Sequence, residues 1–176
     1  SHVAAGRQVF VMEGVWLFVL AVNFWNIFGA GVFGSLINLP IVNYYEHATY
    51  MTGNHAHAAM FGVKGNIALG GMLFCGQHLL PKALWNEKLI KTSFWSLQIG
   101  LLMMMTMDLF PIGMYQLMIV FQEGLWYARS QEILTGPVWR FFTYARSIGG
   151  TLFIVGGVFP LIWLFVSRAG SLRKET

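Results

Sequence analysis

Two histidines, His55 and His57, stand one residue apart in the run "GNHAHAAMFGVKGN" from Gly53 to Asn66, inside an otherwise apolar stretch, with Lys64 seven residues beyond the second. On an α-helix, residues i and i+2 are about 200° apart around the axis. His55 and His57 therefore point to nearly opposite faces and cannot chelate one metal, which needs i and i+3 or i+4. One ligand on each side of a helix suits two separate metal centres instead. Neutral imidazole at membrane depth, beside Ala56, Ala58, Ala59 and Gly62, suits two flat porphyrins, because small residues let a planar ring approach and histidine is a common axial ligand to haem iron. The alternative for either histidine is a hydrogen bond to a neighbouring helix.

The elements that position this pair follow from composition. Of 176 residues, 56% are hydrophobic and 10% are charged, against about 25% charged in a soluble domain. The surface must be apolar as well as the core, and the expected solvent is the lipid bilayer. Four apolar stretches are long enough to cross it, at approximately 8–36, 52–76, 92–121 and 141–167. The fold class is all-α: a polytopic transmembrane helix bundle with four spans. Pro40, Pro81 and Pro137 fall between spans, whereas Pro111 falls within the third and is expected to kink it. Gly149-Gly150 and Gly156-Gly157 point to close helix contacts in the fourth.

The net charge of +4 is spread over short loops, which argues against nucleic acid as a partner and instead bears on orientation. Arg7, Lys82, Lys88, Lys91, Arg168, Arg173 and Lys174 share one side, and the Leu39–Met51 loop opposite has no Lys or Arg. The positive-inside rule then places both termini in the cytoplasm. Cys75 is the single cysteine, so no intrachain disulfide forms and the expectation is a thiol packed in a helix. The chain begins at Ser1 without a methionine or signal peptide, and reads as a processed chain or a piece of a longer one.

The run "NLPIVNYYEHATYMTGNHAHAAMFGVKGN" resembles the haem-copper oxidase superfamily and, within it, the nitric oxide reductases, especially the single-chain quinol-oxidising type. "NFWNIFGAGVFGSLINLP" resembles the same type, so the likeness is strong over about 1–80, while 91–168 fits by length and order. The resemblance implies that 1–176 is the C-terminal four-helix portion, helices nine to twelve, of a haem-copper-oxidase-like membrane domain. It implies that His55 is the axial ligand of high-spin haem b3 and His57 an axial ligand of low-spin haem b, so that both bind haem iron. It places His47 beside the haem propionates, with a solvated loop histidine as the alternative. Glu46 either binds a Ca2+ near the propionates or is a solvated acid, the reading the loop favours. Asn54 and Thr52 are candidates to orient groups near the ligand helix.

The implied activity is respiratory reduction of two NO to N2O and water in a bacterial inner membrane, with quinol as donor, NO as substrate and a homodimer as the assembly. The non-haem iron of such an enzyme takes three histidines and a carboxylate, including an adjacent His-His pair, which this chain lacks. Those ligands, and the second ligand of the low-spin haem, are expected on the remaining N-terminal helices. No catalytic residue is assigned to this chain itself. Competing readings are an oxygen-reducing terminal oxidase of the same superfamily, an electron-transfer cytochrome b protein, and a structural membrane protein without cofactor.

Three polar residues sit awkwardly in the spans. Lys64 departs from the tyrosine usual in the family, costs roughly 2.5 kcal/mol or more at a span centre, and by α-helical counting shares the face of His57. Asp108 is either a proton relay or a headgroup-level acid, the latter favoured, and Glu13 has a helix–helix hydrogen bond as its simpler role. The run "LLMMMTM" at 101–107 splays around a helix and is expected to pack rather than bind copper.

Overall fold

The computed structural model describes residues 13–79 and 85–172, with side chains to residue 167. The described residues are helical, without strands. Four helices are long and apolar enough to cross a membrane: α1 (Glu13–Asn38), α3 (Tyr50–Leu79), α4 (Glu87–Glu123) and α6 (Pro137–Ser167). Two short helices lie in the connections, α2 (Pro40–Glu46) and α5 (Gln131–Leu134).

The helix starts explain why α4 begins five residues before the apolar stretch does. Asn86 caps it by accepting from the Leu89 N–H at 3.1 Å, and Glu87 complements the dipole in its first turn. Likewise Thr49 caps α3, accepting from Met51 N–H at 3.3 Å. Pro40 and Pro137 occupy the first turns of α2 and α6, where a missing N–H leaves nothing unsatisfied.

Each of the four long helices carries a π-helical segment: Asn26–Val32 in α1, Ala58–Gly65 in α3, Met105–Leu109 in α4 and Leu152–Val158 in α6. Such winding loosens the regular i to i+4 pattern and frees carbonyls for other donors. Side chains take them up: Asn66 donates to Gly62 O at 2.7 Å, and Ser93 on α4 donates to Gly157 O on α6. The α4 segment ends just before Pro111. The helix thus meets the ring and its absent N–H through a local π adjustment and continues beyond it.

The core lies between α1, α3, α4 and α6, built on Phe18, Trp25, Leu73, Phe94, Leu101 and Leu164. Phe18 and Phe94 meet edge-on with centroids 5.1 Å apart. Glycines permit the closest crossings: a Cβ on Gly100 would lie 2.8 Å from Gly149 O, and one on Gly149 would lie 2.8 Å from Gly100 O. Here α4 and α6 touch backbone to backbone. Met104 and Met105 are core residues while Met107 is exposed, so the methionine run does splay. Large apolar side chains on the outside, including Leu20, Ile41, Phe141 and Trp163, form the surface expected against lipid or further helices. Cys75 is exposed on that surface rather than packed.

Candidate functional site: the two histidines of α3

His55 is oriented by α1. Its Nδ1 lies 3.1 Å from the carbonyl oxygen of Gly29, within the π segment of α1. A carbonyl can only accept, so Nδ1 carries the proton and Nε2 keeps its lone pair, the form in which imidazole binds a metal. Gly34 completes the seat: a Cβ there would stand 2.8 Å from His55 Cε1. Ala30, Gly31, Gly34, Ser35 and Asn38 border a shallow groove of about 590 Å³ beside the ring. Small residues thus occur where a planar group would approach, but on α1 rather than on α3.

His57 is oriented by its own helix. Its Nδ1 lies 2.9 Å from Gly53 O, one turn earlier, and again the carbonyl leaves Nε2 as the free nitrogen. The ring lies 5.4 Å from that of Phe61, which in turn meets Phe153 of α6 at 5.7 Å. Gly53, His57 and Phe61 therefore line one stripe of α3, facing α4 and α6, whereas His55 addresses α1. Both imidazoles are half-buried. The donor set fits axial ligation of two haems: two neutral imidazoles, each fixed through Nδ1 to a carbonyl, with Nε2 available on separate faces.

Two of the small residues of α3, Ala58 and Gly62, pack against α1. Ala58 is fully buried against Gly29, and a Cβ on Gly62 would fall 2.5 Å from the Trp25 ring. They admit α1, not a porphyrin. Ala56 is exposed and Ala59 half-buried.

Glu46 leaves its expected setting, whereas Glu13 makes the helix–helix hydrogen bond expected of it and His47 is exposed in its loop. Glu46 is 3% exposed, not solvated, because the α2–α3 turn folds it under Thr52, whose hydroxyl donates to both carboxylate oxygens at 3.3 Å. Burial pushes its carboxyl above the usual range, and the Thr52 hydrogen bond offsets part of the rise. His47 is exposed, and its backbone carbonyl accepts from Arg129 at 2.8 Å. Asn54 is buried with Oδ1 lacking a hydrogen-bond partner. Asp108 is fully buried inside the bundle, with Arg146 Nε 3.3 Å from Oδ2. Lys64 is half-buried, and the π winding of Ala58–Gly65 breaks the count that placed it over His57. Glu13 pairs with Lys91 of α4 at 2.5 Å, both about half exposed.

A hydrogen-bonded chain through the middle of the bundle escaped the sequence reading. Trp25 Nε1 donates to Gln98 Oε1 at 2.8 Å, and Gln98 Nε2 donates to Asn66 Oδ1 at 2.8 Å. It ties α1, α4 and α3 together beside the π segment that follows His57. The available sign was two amides, Asn66 and Gln98, in apolar spans, where polar side chains seek one another.

Comparison with known proteins agrees with this arrangement of long apolar helices. Residues 3–152 match the family described as Cytochrome C and Quinol oxidase polypeptide I. The chain belongs to this family of haem-copper oxidases, and its four apolar helices fit a multi-pass membrane protein. It is also similar to a nitric oxide reductase polypeptide of Stutzerimonas stutzeri, with 27% identity over 135 residues, 73% of this chain and 27% of that protein. The chain thus spans about a quarter of the length of that relative.

Proposed function

We propose that this chain is the C-terminal part of a respiratory nitric oxide reductase of the bacterial inner membrane, with both termini cytoplasmic. His55 holds the high-spin haem b3 and His57 the low-spin haem b. The observation that carries the reading is the pair of Nδ1-to-carbonyl contacts, His55 to Gly29 and His57 to Gly53, which presents one Nε2 on each of two faces. The similarity to the Stutzerimonas stutzeri nitric oxide reductase polypeptide supports NO as the substrate. Quinol as donor rests on the resemblance of the α1 and α3 sequences to the quinol-oxidising type.

The haems, when bound, supply electron entry at one iron and an open coordination position for NO at the other. What the chain's own residues contribute is placement. Gly29 O and Gly53 O fix the tautomer and azimuth of each ring, and one stretch of helix fixes their separation. Gly34 keeps the groove beside His55 clear. His47 faces the propionate side, while the remaining helices of a complete bundle bring the non-haem iron ligands and the second ligand of the low-spin haem.

The experiment is anaerobic turnover of the complete purified enzyme. NO consumption with N2O formed at one per two NO, supported by a quinol, is the expected result. O2 consumption without N2O would instead establish the terminal-oxidase reading that the family description also accommodates. NO reduction with cytochrome c alone as donor would keep the reaction and remove the quinol.

A further inference from the structure

We propose that the buried Asp108–Arg146 pair sets the reduction potential of the haem held by His57, an inference that rests on the reading of His57 as an axial ligand. Asp108 is 0% exposed, and neither carboxylate oxygen has a hydrogen-bond partner. Its counter-charge is Arg146, with Nε 3.3 Å from Oδ2 and a side chain one-third exposed. A bare carboxylate at this depth is strongly unfavourable, so the ion pair is what keeps the charge in place.

The pair lies on the His57 side of α3. A Cβ on Gly53, whose carbonyl holds His57, would touch Leu109 at 3.7 Å. The Phe61–Phe153 contact brings α6, two turns beyond Arg146, against the same stripe. Asp108 lies within the π segment Met105–Leu109 and is buried there.

The two charges do not cancel there. Asp108 is sealed inside the bundle on the His57 side, where a charge acts in low dielectric, whereas Arg146 is one-third exposed and lies toward the outside of the bundle. The residual field at His57 is negative and favours the oxidised, more positive form of an iron centre, which lowers its potential. Asp108 and Arg146 are positioning residues in this sense: they touch no reacting atom.

The test is a spectroelectrochemical titration of the low-spin absorbance of the complete enzyme. D108N is expected to raise the ratio of reduced to oxidised haem about tenfold at fixed ambient potential, equivalent to about 59 mV for a one-electron couple. D108E, which restores the charge, is expected to return most of the shift. R146Q strips the carboxylate of the charge that keeps it ionised, so it is expected to shift the ratio in the same direction as D108N, and it serves if D108N does not assemble; R146K, which keeps a counter-charge, is expected to stay near the wild-type ratio. A merely structural role moves the charge-conserving variants D108E and R146K as far as the charge-removing ones. An unshifted ratio in D108N with the six-coordinate spectrum intact, or a fall in R146Q, overturns the proposal. Failure of the underlying reading is seen separately, as survival of the low-spin spectrum in H57A.

Discussion

His55 and His57 both direct Nδ1 at a glycine carbonyl, but the carbonyl of Gly29 belongs to α1 and that of Gly53 to α3 itself. One ring is thus aligned by tertiary packing and the other by its own helix. Disturbing α1 should therefore reach His55 before it reaches His57.

The pair should fail in different ways. H57A is expected to abolish the six-coordinate low-spin spectrum while the high-spin centre still binds CO. H55A should keep the low-spin spectrum and lose CO binding. Reduced-minus-oxidised spectra of the complete enzyme, with and without CO, measure both. Identical spectra from the two variants would sink the two-face assignment.

Gly34→Ala tests the dependence on α1. The added methyl stands 2.8 Å from His55 Cε1, so the ring must rotate or the helices part. Overpacking of this kind costs roughly 1–3 kcal/mol, or roughly five- to 150-fold in affinity. CO affinity at the high-spin centre should fall by that order while the low-spin spectrum holds. An unchanged affinity would remove Gly34 from the seat.

Gln98→Leu breaks the Trp25–Gln98–Asn66 chain and strands the other two polar groups in the bundle. Interhelical hydrogen bonds in membranes average about 0.6 kcal/mol and reach about 1.7 kcal/mol, so losing two should lower stability by about 1–3 kcal/mol. Unfolding of the enzyme in detergent checks this, and Trp25→Phe combined with Gln98→Leu should cost less than the sum of the two single changes.

Glu46 should make stability pH-dependent in an unusual direction. Its folded pKa lies above the ordinary 4.5, so the native state binds the proton more tightly than the unfolded chain. Its stabilising contribution is full below 4.5 and is lost as pH rises through the folded value. Glu46→Gln should flatten that part of the curve. A wild-type curve that rises across the same window would contradict the burial of this carboxyl.

The four spans were legible because hydropathy over some twenty residues needs no knowledge of neighbours. The opposite faces of His55 and His57 were legible for the same reason, since they depend only on local helix geometry. Asp108 and Glu46 were not: whether an acid is solvated depends on what packs over it, Arg146 in one case and Thr52 in the other. Ala58 and Gly62 show the same limit, because small residues invite close approach without stating what approaches. Trp25 is 4% exposed with its indole N–H donating to Gln98, a pairing between α1 and α4 that neither span discloses alone.

The π segments impose a counting rule on heredity. Each amounts to a helix with a residue to spare, taken up in a wider turn, so the helix beyond keeps nearly the phase it would have without it. Removing one residue within Ala58–Gly65 would restore regular winding there, whereas removing one from a regular stretch beyond it would turn the rest of the helix, through Leu79, by about 100°; either change leaves His55 and His57 untouched. These four places are where single residues can be gained or lost without changing which side chains face a neighbouring helix. Relatives that keep the histidine pair are therefore expected to differ in length here rather than in the flanking regular turns.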